Sequence, residues 1–169
     1  MDILVFSDSH GNTRNIMRAI SNQIKKPDAI IFLGDGLQSM SYCDFDSIPV
    51  YTVSGNCDGI YFGTLFSDDE RIIELGGKKI MMTHGHRYDV KSTYSRLIYT
   101  AAQRDVDIVL FGHTHSPFEM CLTPDSCEMP KLSKNLYVFN PGAIGAGGSS
   151  FGVISISREG QILLSHGKV

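Results

Sequence analysis

Two histidines in the second half of the chain stand where they can hold a metal ion. The segment Gly112-His113-Thr114-His115 directly follows an apolar run at 106–111, which is typical of a buried strand. At the end of such a strand, imidazoles at positions i and i+2 can turn toward one point, and Gly112 leaves room for the backbone near an ion. Neutral imidazole is a common ligand for divalent transition metals. A His-X-His pair is also common as a polar strand end, so the metal interpretation depends on ligands from elsewhere.

Potential ligands also follow the other predicted strands. Apolar runs at 3–6, 29–33 and 50–53 each end in a polar loop that contains glycine, and a predicted hairpin strand at 78–82 ends in a histidine cluster. Each polar residue alone has an ordinary explanation as a helix cap, a turn former or a surface histidine. Together they predict one site, because ligands of an open α/β sheet bind outside the carboxyl ends of its strands. The ligand candidates are Asp8, His10, Asp35, Asn56 and His84, and His86 lies two positions after the last of these.

The first half of the chain predicts alternating strands and helices that would position these residues. Asn12 or Thr13 can cap a helix that follows the first strand, and Pro27 closes it. Apolar residues three or four positions apart predict that one face of this helix is buried. The predicted stripe comprises Ile16, Met17, Ile20 and Ile24.

The second half predicts hairpins around one further helix. Gly76-Gly77 is a tight turn between two apolar runs, and a last hairpin joins 151–157 to 161–165. Between them, Ser92 is expected to cap a helix that leads into the strand before His113. We expect two stacked sheets with helices outside. The predicted inner face of the helix comprises Tyr94, Leu97, Ile98, Ala101 and Ala102.

Length and composition predict one soluble, cytoplasmic domain over residues 1–169. A chain of 169 residues with 42% hydrophobic content can bury one good core. A net charge of −3 and a pI near 6.0 give no electrostatic basis for binding nucleic acid. The four cysteines form no CxxC pair, no secretory leader precedes the first strand, and no apolar run reaches the ~20 residues of a membrane helix.

The predicted ligands favour a site for two transition-metal ions. Two carboxylates, one amide oxygen and four imidazoles, with no evident thiolate, suit Mn, Fe, Co, Ni or Zn better than a structural cysteine zinc site. Seven ligands are too many for one ion, and they suit two ions if one carboxylate bridges them. Two divalent ions ~3.5–4 Å apart can hold a hydroxide between them and clamp the oxygens of a phosphate.

The motifs, in their order, resemble those of the calcineurin-like metallophosphoesterase superfamily over essentially the whole chain. The short length and the segment Asn140-Pro141-Gly142 are similar to its small single-domain phosphodiesterase branch. The resemblance implies a four-layer α/β/β/α sandwich of two mixed sheets. The matching motifs are Asp8-Ser9-His10, Gly34-Asp35, Gly55-Asn56-Cys57-Asp58, His84-Gly85-His86 and Gly112-His113-Thr114-His115.

The same resemblance implies a role for each metal ligand. Asp35 is expected to bridge two ions, of which manganese is the first choice. Asn56 is also expected to act in catalysis. One ion is implied to bind Asp8, His10 and His115, and the other Asn56, His84 and His113.

Cys57 departs from the family pattern, because many members carry histidine after the asparagine. A thiol with a reference pKa near 8.5 is a poor general acid at neutral pH, so Cys57 is interpreted as a small buried side chain without a chemical role. His86 is then the best candidate for proton transfer or phosphate contact. It is equally suited to orient the ligand His84.

The predicted activity is hydrolysis of a small phosphodiester by a hydroxide that bridges the two ions. A protein-binding scaffold is the main alternative, because the family resemblance includes a retromer subunit with this fold. A nuclease is disfavoured by the acidic pI. Specificity is expected from loops 37–47, 59–70 and 123–135, the last of which has the composition of an exposed loop. The natural substrate, the native metal and any homo-oligomer stay open.

Overall fold

Two five-stranded sheets dominate the part of the chain that the structure describes. The structure is a computed structural model and describes residues 1–59, 68–126, 130–145 and 147–169. The strands are β1 (Asp2–Phe6), β2 (Ala29–Phe32), β3 (Val50–Thr52), β4 (Glu70–Leu75), β5 (Lys78–Thr83), β6 (Ile108–Leu110), β7 (Pro117–Leu122), β8 (Leu136–Pro141), β9 (Ser150–Ile156) and β10 (Ile162–Lys168). The α-helices are α1 (Thr13–Ser21), α2 (Leu37–Met40) and α3 (Ser95–Gln103), and His86–Tyr88 forms a 3-10 turn.

Both sheets mix parallel and antiparallel pairs. The first sheet has the order β10-β9-β1-β2-β3, with β1, β2 and β3 parallel to one another and β9 antiparallel to β1. The second sheet has the order β4-β5-β6-β8-β7, with parallel pairing of β5, β6 and β8. The parallel strands of each sheet end at a common edge, and these edges carry the predicted ligands.

Alternation along the strands sends apolar side chains into two different layers. Ile3 and Val5 of β1 pack into a core between the two sheets, together with Ile80 and Met82 of β5. The intervening residues point to the other face of a strand, because successive side chains alternate. Leu4 accordingly belongs to a second core under α1.

A third core lies beneath α3. It contains Leu97 and Ala101 of that helix together with Met81, Val109 and Phe111 of the second sheet. With α1 and α2 outside the first sheet and α3 outside the second, the layers follow the order α/β/β/α. The predicted four-layer sandwich of two mixed sheets is therefore confirmed.

The first helix is shorter than the sequence pattern predicts. Asn12 caps it as expected by accepting a hydrogen bond from the N–H of Asn15, but the helix ends at Ser21 and Ile24 is fully exposed. After Ser21 the chain turns: the N–H of Asn22 donates to the carbonyl of Arg18, and the N–H of Gln23 donates to that of Ile20. Ile24 therefore lies beyond the helix rather than on its buried face.

The predicted cap of the later helix is also wrong. α3 begins at Ser95, and the Ser92 hydroxyl instead donates to the Asp89 carboxylate at 3.0 Å. The Thr93 hydroxyl accepts the N–H of Ser95 at 3.2 Å. The inner face is as predicted, because Leu97 and Ala101 are buried and the neighbouring apolar residues pack against the same core.

The edge strand β7 and part of the following loop differ from the sequence interpretation. β7 has no buried residue, so it lacks the apolar run that would announce a strand. Within the predicted exposed loop 123–135, Pro130 and Leu132 are buried, and Leu132 joins the core under α3. Parts of the loops 59–70 and 123–135, including Cys127, lie outside the described residues. In the described ranges, no helix is long and apolar enough to span a bilayer.

Candidate metal centre

Six of the seven predicted metal ligands meet where the edges of the two sheets face each other. They form two clusters, each with one carboxylate and two imidazoles, whose donor atoms lie within 4.8 Å of one another. We call these the outer and the inner cluster. The outer cluster is Asp8, His10 and His115, and the inner cluster is Asp35, His84 and His113.

The outer cluster is open to solvent on its histidine side. The Nε2 atoms of His10 and His115 lie 3.4 Å apart. Asp8 Oδ1 lies 3.2 Å from Nε2 of His115 and 3.9 Å from Nε2 of His10. The Asp8 side chain is fully buried, whereas those of His10 and His115 are 30% and 41% exposed.

The inner cluster is built around a buried imidazole. His84 is fully buried, and its Nδ1–H donates to the carbonyl of Leu33 at 2.7 Å. A carbonyl only accepts, so this bond fixes the tautomer and leaves Nε2 available to an ion. That Nε2 lies 3.4 Å from Asp35 Oδ2 and 3.2 Å from Nδ1 of His113.

One oxygen of the Asp8 carboxylate lies where a cation would stabilise it. Its Oδ2 accepts from the Ser7 hydroxyl at 2.6 Å and from the N–H of His113 at 3.0 Å. Its Oδ1 is buried and accepts no hydrogen bond from any described residue. This atom faces the outer imidazoles and lies 3.9 Å from Nε2 of His84. Buried polar atoms are almost always partnered, so an unpartnered carboxylate oxygen amid imidazole nitrogens fits a divalent ion.

Backbone conformation turns the ligand side chains toward this point. Five ligands have positive φ, a region that costs non-glycine residues about 1–2 kcal/mol each. Such conformations persist only where the surroundings impose them, and they cluster at functional sites. The φ values are 54° for Asp8, 44° for His10, 57° for Asp35, 66° for His113 and 60° for His115.

Two glycines allow the close approach of the loops. A Cβ at Gly112 would lie 1.9 Å from the Ser7 hydroxyl oxygen, and one at Gly55 would lie 2.1 Å from Asp35 Oδ1. Both distances are far shorter than any tolerated contact. Glycine is therefore required at both positions for Asp8 and Asp35 to keep their places.

The inner cluster is strongly coupled electrostatically. Burial raises the pKa of Asp35, but its hydrogen bond and charge interaction with His84 outweigh burial and hold that pKa well below its ordinary value. Burial lowers the pKa of His84, but Asp35 and Asp8 outweigh it, and the net shift is upward. Burial and the charge of His84 lower the pKa of His113 to about 4. Asp35 is thus ionised, and His113 is neutral as a ligand must be.

Cys57 differs from the sequence interpretation. It is exposed rather than buried, and its Sγ lies within 4.8 Å of donor atoms of His10 and Asp35. Its N–H donates to Asp35 Oδ1 at 2.7 Å. Burial, followed by the hydrogen bond and charge of Asp35, raises the pKa of the Cys57 thiol to about 11. A cysteine side chain is small enough to pack in a core. Cys57, however, lies at the tip of the loop that carries the predicted ligand Asn56, and its side chain is therefore exposed.

Asn56 and His86 lie beside the inner cluster. The Asn56 side chain is exposed, and its amide donates to Cys57 Sγ at 3.3 Å, so its role as a ligand stays a prediction. The ring centroid of His86 lies 5.5 Å from that of His84 and 6.2 Å from that of His113. Its Nδ1 is buried and has no partner among the described residues. Burial, followed by the charge of His84, lowers the pKa of His86.

Asn140 supports the site in a way that the sequence interpretation missed. Its buried side chain donates to the carbonyl of Gly112 at 2.9 Å and to the hydroxyl of Thr114 at 3.0 Å. Its Oδ1 accepts from the N–H of Gly142 at 2.8 Å. Asn140 therefore holds the loop that carries His113 and His115. Its place directly after an apolar strand was the available signal, as it was for the ligands.

An α/β/β/α sandwich with carboxylates and imidazoles gathered at its strand ends is the architecture of a metallophosphoesterase. Comparison with known proteins agrees with this class. Residues 1–159 match the calcineurin-like phosphoesterase superfamily domain. The chain belongs to this superfamily, whose members are metal-dependent phosphoesterases.

Individual relatives are similar in sequence or in structure. The chain is 29% identical over 140 residues to the probable metallophosphoesterase YsnB of Bacillus subtilis strain 168, which covers 79% of each protein. A conserved uncharacterized protein of Streptococcus pneumoniae TIGR4, described as a predicted phosphoesterase, superposes with a TM-score of 0.63 at 25% identity, covering 99% of this chain and 97% of that one. Wild-type Vps29 of Entamoeba histolytica complexed with Zn²⁺ shares the fold, with a TM-score of 0.68 at 20% identity and 99% of both chains covered.

Proposed function

We propose that the protein is a phosphodiesterase that works with two divalent metal ions, manganese being the first choice. The observation that carries the proposal is the unpartnered, buried Asp8 Oδ1 among the Nε2 atoms of His10, His84 and His115. A carboxylate in this setting is stabilised by a cation, and it belongs to a set of oxygen and nitrogen donors that suits transition metals.

The proposed bridging role of Asp35 has support in the geometry. Donor atoms of Asp35 lie within 4.8 Å of those of His84 and His113 and also of His10. Asp35 thus has a carboxylate oxygen close to imidazole nitrogens of both clusters. We assign one ion to Asp8, His10 and His115, and the other to Asn56, His84 and His113, with Asp35 between them.

When bound, the two ions would supply an activated water nucleophile and positive charge for the phosphate oxygens. The chain's own residues hold the ligands in place and manage protons near the leaving group. His86 has an Nδ1 without a partner among the described residues and a lowered pKa, so its ring is neutral at pH 7. A neutral imidazole has one N–H donor and one acceptor nitrogen, so His86 can donate a hydrogen bond to a phosphate oxygen or accept a proton. Asn56 is exposed and can contact a substrate.

The proposed preference for diesters follows from Cys57. A thiol whose pKa is about 11 holds its proton too firmly to act as a general acid at neutral pH. Esters whose leaving group departs without protonation are therefore favoured, as in aryl diesters. The proposed substrate is a small phosphodiester, and the acidic composition disfavours a nucleic acid.

The test combines metal content with turnover. Purified protein would be stripped with a chelator, reloaded with Mn²⁺, and assayed with bis-p-nitrophenyl phosphate and p-nitrophenyl phosphate. We expect two bound ions per chain, no activity after stripping, recovery on reloading, and faster hydrolysis of the diester. Full turnover by protein shown to be free of metal would refute the proposal. Faster hydrolysis of the monoester would refute the diester preference alone.

A binding scaffold is the second candidate, and the similarity to Vps29 is the observation that favours it. That similarity, at 20% identity, concerns the fold alone. A scaffold has no need of two complete donor clusters held by strained backbone. Metal-loaded protein without activity on any phosphodiester would favour the scaffold. Cytoplasmic localisation stays a prediction from the sequence.

A further inference from the structure

Asp58 accepts four backbone hydrogen bonds from the two loops that flank the inner cluster. Its Oδ2 accepts from the N–H of Asp35 at 2.7 Å and of Gly55 at 2.8 Å. Its Oδ1 accepts from the N–H of Gly36 at 2.7 Å and of Leu37 at 2.8 Å. Hydrogen bonds to an ionised carboxylate are about twice as strong as neutral ones, so Asp58 ties the two loops firmly together.

The loop that Asp58 holds does not have a relaxed conformation. Gly34, Asp35 and Gly36 have φ values of 90°, 57° and 136°, so three successive residues lie in the positive region. A Cβ at Gly34 would lie 2.4 Å from the backbone nitrogen of Gly55, which shows how closely the two loops pack. Glycine adopts positive φ readily, so the strain of this turn lies at Asp35, whose conformation persists only where its surroundings hold it. The successive N–H groups of Asp35, Gly36 and Leu37 all donate to the Asp58 carboxylate.

We propose that Asp58 is a positioning residue for the inner metal site, and that it acts on Asp35 through the backbone. This inference rests on the proposed two-metal function. Asp58 fixes the backbone of Asp35, and the Gly55–Asp58 turn presents the Cys57 N–H that orients the Asp35 carboxylate. The same turn carries Asn56, the predicted ligand of the inner ion. Loss of the Asp58 carboxylate would therefore disturb two ligands of one ion together.

The side chains of the outer site are oriented by other contacts. Asp8 is oriented by the Ser7 hydroxyl and the N–H of His113, and the loop of His115 is held by Asn140. The backbone of the outer site does touch the loop that Asp58 holds, because the N–H groups of Asp8 and His10 donate to the carbonyls of Gly34 and Asp35 at 3.0 Å. A defect at Asp58 should therefore weaken the inner ion, which depends on both Asp35 and Asn56, more than the outer ion, which shares only Asp35. General loosening of the fold would weaken both ions alike.

The informative variant is Asp58→Asn. Asparagine keeps the shape of the side chain but replaces one acceptor oxygen with an NH₂ group, which would face two N–H donors at 2.7 to 2.8 Å. Asp107→Asn is a matched control. The Asp107 carboxylate also accepts a backbone N–H, that of Lys79 at 2.8 Å, and pairs with Lys134 at 3.0 Å, but it lies at the opposite end of β5 from His84.

The experiment measures Mn²⁺ binding to each protein by calorimetry and by electron paramagnetic resonance. We expect wild type and Asp107→Asn to bind two ions and to give a spin-coupled spectrum at two equivalents. In Asp58→Asn the tighter of the two affinities, which belongs to the inner site, should fall about 10–100-fold and the weaker one by less, so that two equivalents of Mn²⁺ give mainly a spectrum of isolated ions. Excess Mn²⁺ should then restore the coupled spectrum.

Three results would overturn the inference. The first is two-ion binding by Asp58→Asn that equals wild type, and the second is an equal loss of both affinities, which would indicate a merely structural role. The third is that the wild-type protein binds fewer than two ions. That result would refute the proposed two-metal function as well, whereas the first two results would refute the role of Asp58 alone. If Asp58→Asn does not fold, Asp58→Glu keeps both acceptor oxygens at a shifted position. The same selective loss is expected for it, and unchanged affinities would be decisive against the role.

Discussion

The outer and inner clusters use the same donor types but achieve their geometry differently. In the outer cluster, the two histidines are 30% and 41% exposed, and their Nε2 atoms lie next to each other. In the inner cluster, His84 is fully buried and bound through Nδ1 to a carbonyl, and Asp35 is oriented by a backbone N–H. The inner ligands are preorganised by hydrogen bonds to the rest of the protein, whereas the outer histidines lie close to each other and to Asp8.

The two sites should therefore differ in metal affinity and in access for a substrate. A preorganised site binds with little loss of side-chain entropy, so the inner ion should be the more tightly held. The exposed outer cluster leaves room for a substrate to approach its ion. The largest effect on both sites is expected from Asp35, the proposed bridging ligand.

Asp35→Asn should produce the largest loss. The substitution removes the charge that the two proposed ions would share, so we expect turnover of bis-p-nitrophenyl phosphate to fall by more than the roughly 10–100-fold that is typical when a ligand's supporting group is lost. Circular dichroism should show an intact fold, and elemental analysis a lower metal content. A variant with both metals bound and nearly normal turnover would rule out the bridging assignment.

His84→Gln and His115→Gln should separate the clusters. Both variants should lose metal, but only His84→Gln should also destabilise the metal-free protein, because it leaves the buried Leu33 carbonyl without its partner. Such a loss costs about 1–3 kcal/mol, which lowers the Tm of a domain of this size by several degrees. Thermal unfolding in the presence of chelator measures the difference. Equal Tm values for the two variants would contradict the contrast in preorganisation.

Lower pH should weaken metal binding, beginning at the inner cluster. His84 must be neutral to bind an ion, and its pKa is raised above the ordinary 6.5 by Asp35 and Asp8, which outweigh burial. Protons therefore compete for its Nε2 at a higher pH than for an ordinary histidine, and Mn²⁺ affinity should fall as pH drops through that raised pKa. Calorimetry between pH 8 and pH 5 tests the sign. Affinity that rises toward pH 5 would be incompatible with this competition.

The smallest effect is expected at Cys57. Cys57→Ala should leave the diester rate close to that of wild type, because the thiol gives up no proton at neutral pH. Cys57→His should raise hydrolysis of an alkyl monoester such as glycerol phosphate relative to the diester, since general acid assistance is typically worth ~10²–10⁴-fold. Steady-state kinetics on both substrates would test this. Complete loss of diester hydrolysis in Cys57→Ala, with metals still bound, would give the thiol a chemical role.

The sequence predicted most of the fold because its strands are long apolar runs. Ile3 to Phe6 and Ala29 to Phe32 are buried on both faces, and such runs are easily recognised. β7 escaped prediction because an edge strand buries too little to leave a pattern. The prediction that the first helix extends to Ile24 was wrong, because the spacing of apolar residues does not report where the chain turns away from a sheet.

The residues of the candidate site could be predicted from the sequence, but their exposure and their supporting contacts could not. Polar residues at strand ends identified six ligands that meet in space, because parallel strands bring their carboxyl ends together. The exposure of Cys57 was not predictable, since composition does not say which way a loop turns its tip. The role of Asn140 and the four bonds of Asp58 depend on three-dimensional proximity that spacing along the chain does not reveal.

The central position of β1 has a consequence for biosynthesis. This strand lies between β2, which follows it closely in the chain, and β9, which ends at Ile156. The N–H groups of Ile144 and Gly145, which bond to the carbonyls of Ser7 and Asp8, also come late. A chain growing on the ribosome therefore presents one edge of β1 unpaired until β9 has been synthesised. We expect the nascent chain to need protection of that edge, and metal loading to follow the docking of β9 against β1.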